Sequence, residues 1–255
     1  MKKLIIMTIA AVSVAVAAQA ADVSTTVDFA SAYVFRGVTL NNGLVMQPGA
    51  EISGFPIDEA YGSVAIGIWG NYDINDEDRD GSDLSEIDYY ISYTLPIETM
   101  DVSVAYTEYT HDKQGVETDK ELNLTVGSAI GEDGLYASFA ANYGVGGYVN
   151  SSWYLQGALD YEIELSDALT ASAGVTVAYV ISDGDYADWG IADGFGDATG
   201  SVGLAYALND NWSISGDLTY IAQIDDDVLP NGDRRVNNTG YDVDFVASIG
   251  VGCDF

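Results

Sequence analysis

The chain has 255 residues, with 40 acidic and 8 basic side chains, 4 prolines and a single cysteine, Cys253. A formal charge of −32 makes nucleic acid and other polyanions poor partners. One cysteine excludes an intramolecular disulfide, and the length suits one large domain.

Residues 1–20, MKKLIIMTIAAVSVAVAAQA, read as a secretory signal: Lys2 and Lys3, an apolar run, then Ala18-Gln19-Ala20 as a small-residue cleavage site. Residues 21–255 then remain as one domain. No later segment has the long uncharged run that a membrane helix needs. Instead, twelve stretches alternate apolar and polar residues, the pattern that puts successive side chains on opposite faces of a strand.

The first predicted strand, Val23 to Arg36, places Val27, Phe29, Tyr33 and Phe35 on its apolar face and Asp28 and Arg36 on the other. Leu44 to Ser53 returns less regularly, with Pro48 marking a bulge or an end. Tyr61 to Tyr72 is third. The fourth is cleaner, with Ile87, Tyr89, Ile91 and Tyr93 against Glu86, Asp88 and Tyr90. Met100 to Tyr106 is fifth, and Leu122 to Ile130, opposed by Glu121, is sixth.

The second half keeps this rule. Leu135, Phe139 and Tyr143 face away from Tyr136 and Asn142, and Trp153, Leu159 and Tyr161 face away from Tyr154, Asp160 and Glu162. Leu169 to Ile181 follows, then Val202 to Leu208, then Trp212 to Tyr220 opposed by Asp217. The last strand, Tyr241 to Phe255, sets Tyr241, Val243 and Phe245 against Asp242 and Asp244.

Connections of turn-forming residues (54–60, 96–99, 131–134, 166–167, 209–211) alternate with longer ones (37–43, 73–83, 110–118, 145–150, 182–196, 225–239). Short turns at one end and long loops at the other are the mark of an all-β, transmembrane, antiparallel up-and-down β-barrel in the bacterial outer membrane. Twelve strands are expected, with ten or fourteen as alternatives. The apolar-phase aromatics sort into two bands. Phe35, Tyr106, Tyr143, Trp153, Tyr179, Tyr220 and Tyr241 lie near the outer rim, and Tyr93, Tyr161, Tyr206, Trp212 and Phe255 near the inner one. Lipid and lipopolysaccharide, together with the barrel assembly machinery, are the implied partners.

The stretch Ser31-Ala32-Tyr33-Val34-Phe35-Arg36-Gly37, followed by VTLNNGLVMQPGAEIS, resembles the opening of the Gcw-chp family of outer-membrane proteins. The resemblance implies an exported barrel and carries no catalytic or ligand residues.

The residues in lumen phase are Asp28, Arg36, Glu86, Asp88, Glu121, Asp160, Glu162, Asp217, Asp242 and Asp244. Carboxylates lining a water-filled barrel favour cations or neutral polar solutes. Tyr90, Tyr136 and Tyr154 share that phase and could stack on sugars. Arg36 reads either as a brace paired with inward carboxylates or as a constriction charge. The expectation is a narrow porin-like channel for small cationic or neutral polar solutes. The alternative is a structural or adhesin-like barrel with cation-binding acidic extracellular loops and no transport.

Asp76, Asp78 and Asp80, with Gly81, reproduce the start of a calcium loop, but its closing acid is out of register. No cofactor is expected beyond Ca2+ at such acidic loops. The only histidine, His111, reads as a loop residue without a nucleophile motif, so no enzyme is expected.

Overall fold

The computed structural model describes residues 21–75, 83–111, 117–131, 134–182, 192–225, 227–229 and 243–255. Its wall is a closed barrel of twelve antiparallel strands, each paired with its neighbours in the chain. The wall strands are β1 (Asp22–Ala30), β4 (Val45–Ser53), β5 (Ser63–Asp73), β6 (Asp83–Thr94), β7 (Asp101–His111) and β8 (Asp119–Ile130). They continue through β9 (Leu135–Gly146), β10 (Trp153–Ser166), β11 (Leu169–Ile181), β12 (Gly194–Ala207), β13 (Trp212–Gln223) and β14 (Phe245–Asp254). Two short strands, β2 (Tyr33–Phe35) and β3 (Val38–Asn41), pair only with each other.

Closure runs between β1 and β14, with Val27 opposite Val251 and Phe255 N–H donating to the Val23 carbonyl at 2.9 Å. A closed ladder leaves no strand edge unpaired in lipid, where each lone backbone group costs about several kcal/mol. Alternation then separates the two faces. Phe29, Ile66, Ile91, Leu122, Leu159, Val175, Val202, Leu218 and Ile249 are exposed on the outside, where only hydrocarbon suits them.

Aromatics edge that apolar band at both rims. On the long-loop side Tyr143 meets Trp153, Tyr179 meets Phe195 and Tyr220 meets Phe245, with ring centroids 4.6, 5.3 and 4.9 Å apart. Tyr93, Tyr161, Tyr206, Trp212 and Phe255 are exposed at the opposite rim.

The first predicted strand is where sequence and structure part. It leaves the wall after Ala30, and Ser31 N–H makes its bond to Ala247. The chain then folds inward as the β2–β3 hairpin. Arg36 (φ 50°) and Gly37 (φ 77°) form its turn, both in the left-handed region. Tyr33 and Phe35 therefore do not face lipid. Tyr33 is buried against Trp69 with ring centroids 5.5 Å apart, and Phe35 packs on Tyr109 at 5.6 Å. Alternation encodes two faces but not a departure from the wall, and the lumen offered these rings a better-packed site.

Smaller differences have local causes. Pro48 sits inside β4 opposite Val27, and the β4–β5 ladder skips Gln47 and Pro48, since proline has no N–H to give. Tyr61 belongs to a 3-10 turn capped by Asp58, whose carboxylate accepts from Ala60 N–H at 3.0 Å, so β5 starts at Ser63. His111 ends β7 and is not a loop residue.

Candidate functional site: a plugged lumen

The hairpin sits within the barrel. Its residues and those of its turn touch β5 (Trp69), β6 (Glu86), β8 (Glu121), β10 (Tyr154), β12 (Asp197) and β13 (Gln223). A short segment can reach strands all round a ring only from its axis.

Arg36 is the centre of this assembly. Its guanidinium forks onto Glu121, with Nη1 donating to Oε1 at 2.6 Å and Nη2 to Oε2 at 2.8 Å. The cation lies over the faces of Phe35 and Tyr154, 4.7 and 4.4 Å from their centroids. Tyr109 Oη donates to Glu121 Oε2 at 3.0 Å, and Asn123 Nδ2 donates to the same oxygen at 3.3 Å, so both carboxylate oxygens are occupied. Tyr154 Oη in turn donates to Asp197 Oδ1 at 3.0 Å. Burial works against the Arg36 charge, yet Glu121 outweighs it and holds the guanidinium above its ordinary pKa.

The rest of the hairpin is pinned in the same style. Tyr33 Oη donates to Glu86 Oε2 at 2.9 Å. Burial first, and the Glu86 and Asp88 charges next, push that phenol well above its usual range. Thr39 Oγ1 accepts from Val243 N–H at 3.1 Å. Val38, Ala178, Val180, Val228 and Leu229 form a small apolar cluster with Tyr154 that fills the space beside the turn. A side chain at Gly37 would meet Leu229 Cδ1 at 2.7 Å, so glycine is needed there for space as well as for its φ.

The inner half of the lumen is different. Asp160, Glu162 and Asp217 are exposed, and Asp28 is half-buried. Asp28 pairs across the ladder with Gly250, Asp160 with Gly174 and Asp217 with Gly203. A methyl group at Gly203 would collide with Asp217 Oδ1, and one at Gly250 with Asp28 Oδ1. The bare glycines let these carboxylates lie along the wall.

The structure therefore distributes the residues in lumen phase over two settings. Glu86, Asp88 and Glu121 are buried under or beside the hairpin, and Arg36 is in the hairpin turn rather than in a wall strand. Asp28, Asp160, Glu162 and Asp217 line the other half. Asp244 lies just before β14, exposed, with its carbonyl accepting from Ile221 N–H at 2.7 Å. Asp242 and the calcium-like Asp76, Asp78 and Asp80 lie outside the described residues. Among the described residues no group of three or more His, Cys, Asp or Glu is arranged to hold a metal.

The tyrosines read as sugar platforms place their hydroxyls on acids: Tyr90 on Glu51 and Tyr136 on Asp101, each at 2.7 Å, and Tyr154 on Asp197. Glu51, Asp101, Tyr109 and Asp197 escaped the sequence reading. Their signal was a tyrosine and an acid in the same strand phase, which becomes meaningful only once register is known. His111 approaches Asp119 at 3.4 Å and Glu86 at 3.9 Å.

A closed twelve-strand ring with an apolar outside and a carboxylate-lined inside defines a transmembrane barrel of the bacterial outer membrane. The chain belongs to the outer membrane protein beta-barrel domain family, whose model matches residues 96–255. No curated protein sequence matches it. Among solved structures it is similar to an outer membrane channel from Pseudomonas putida F1, at 8% identity, TM-score 0.55, with 92% of this chain and 96% of that one covered. It is also similar to the NanC porin, at 11% identity, TM-score 0.51, covering 92% and 99%. Outer membrane phospholipase A from Escherichia coli aligns at 11% identity, TM-score 0.50, covering 91% and 92%. Channels and an enzyme share this architecture, so the fold alone does not choose between them.

Proposed function

We propose that this barrel is a narrow, porin-like channel that passes small cations or neutral polar solutes and is held shut in its outer half by the β2–β3 hairpin. The observation that carries this reading is the inner lumen, where Asp28, Asp160, Glu162 and Asp217 lie against small wall residues. Among the described residues Arg36 is the one basic side chain on the inward face; Lys120 is on the outward face of β8. Fixed carboxylates repel anions and gather cations. In this reading the protein is not an enzyme, and His111 lies beside the carboxylates of Asp119 and Glu86. The opening stretch that resembles the Gcw-chp family covers this hairpin and the wall strand β4 that follows it.

Planar-bilayer recordings across a salt gradient test this. Deletion of residues 33–41 is expected to give steady currents with a cation-selective reversal potential. Anion selectivity, or silence in a correctly inserted barrel, would refute it. The filled outer half also favours a second reading, a structural or adhesin-like barrel without transport, and the silent outcome would select it.

A further inference from the structure

The cage around Arg36 has the make-up of a ligand site. It offers a bidentate carboxylate, Glu121, already oriented by Tyr109 and Asn123, and the flat face of Tyr154 held by Asp197. These groups come from β7, β8, β10 and β12, so the wall builds the cage and the hairpin only supplies its occupant. Glu121 is 1% exposed, Asp197 2% and Tyr154 4%. A planar guanidinium satisfies all of this at once, with two parallel bonds to the carboxylate and stacking on the ring.

A cleft of about 80 Å³ leads to the same carboxylate. It runs beside the hairpin, lined by Phe35, Tyr109 and Tyr148 with Glu86, Asp119 and Glu121, and by His111, which contacts Glu86 and Asp119. Acids with aromatic faces are the surroundings that a desolvated organic cation prefers.

We propose that Glu121 and Tyr154 form a binding site for guanidinium-bearing small molecules, that Arg36 is its tethered ligand, and that a free guanidinium compound reaching Glu121 through the cleft displaces Arg36 and releases the hairpin. This deepens the channel reading and rests on it for the consequence of release, although the site itself does not. Exchange is balanced in charge, since one guanidinium replaces another on the same carboxylate. That makes displacement feasible where simple withdrawal of Arg36 would leave Glu121 buried and unpaired.

The test uses the full barrel in micelles with agmatine as the probe. Arg36→Met keeps the stem packed on Tyr154 and vacates the charge site. It should bind agmatine on the order of tenfold tighter than the wild type, because no tethered group competes. Adding Glu121→Gln should abolish that gain, and putrescine, which keeps the amine of agmatine and carries an ammonium in place of its guanidinium, should bind on the order of tenfold more weakly than agmatine, for want of the planar fork. Equal affinity in wild type and Arg36→Met, or a gain indifferent to Glu121→Gln, overturns the site. Should Arg36→Met not fold, amide hydrogen exchange over residues 33–41 in the wild type decides: agmatine must accelerate it, and no change overturns the proposal. Binding without any current would sink the channel while leaving the site, and current without binding would do the reverse.

Discussion

The two halves of the lumen present the same residue type under opposite conditions. In the outer half, Glu86 and Glu121 are at most 4% exposed and held by tyrosines, an arginine and a histidine, while Asp88, 8% exposed, lies against Glu86. In the inner half, Asp160, Glu162 and Asp217 are exposed beside glycine and serine. A buried carboxylate must be satisfied by specific partners, so the outer half works as a structural clamp. An exposed one keeps its hydration and acts only through its field. Position along the barrel, not residue type, decides which role an acid takes.

The comparison can be broken most sharply at Glu121. Glu121→Ala takes the bidentate carboxylate from the buried Arg36 at a cost of about 3–5 kcal/mol, so the hairpin should leave the lumen. Amide exchange over residues 33–41 should rise by orders of magnitude while the wall strands stay protected. Tyr33→Phe removes one bond to the buried Glu86 and should cost about 1–3 kcal/mol, loosening the hairpin without ejecting it; the same exchange measurement ranks the two.

Gly203→Ala probes the inner half. Its added methyl group displaces Asp217 toward the axis, with an overpacking cost of about 1–3 kcal/mol and a fall in conductance of the hairpin-deleted barrel. The smallest effect on stability belongs to Asp217→Asn. Stability should stay within about 0.5 kcal/mol, as for an exposed position, while cation preference of the hairpin-deleted barrel weakens. If Asp217→Asn destabilised the barrel as strongly as Glu121→Ala, the contrast between the halves would be lost.

Much of the architecture was legible along the chain because a lipid-exposed wall imposes period-two chemistry on every strand. Ile87, Tyr89, Ile91 and Tyr93 against Glu86, Asp88 and Tyr90 is such a pattern, and β6 follows it. The plug was not legible for the same reason. Tyr33, Phe35 and Arg36 alternate as a wall strand would, and nothing local separates a tyrosine bound for hydrocarbon from one bound for Trp69 and Glu86. Arg36 was visible as an inward charge with acidic company. Which acid it meets depends on strand register, since Glu121 lies 85 residues away.

By itself the sequence determined a barrel, the alternation of long loops and short turns, and an acidic interior, with twelve strands expected and ten or fourteen still open. Those features follow from hydrocarbon outside and water inside, a constraint applied residue by residue. Only the tertiary structure decided that thirteen residues between Ser31 and Gly43 turn inward, and that Tyr154, Tyr109 and Asp197 gather around Arg36. Ring closure brings distant strands within a side chain's length of one axis, and burial there rewards a bidentate, stacked partner that no local pattern specifies.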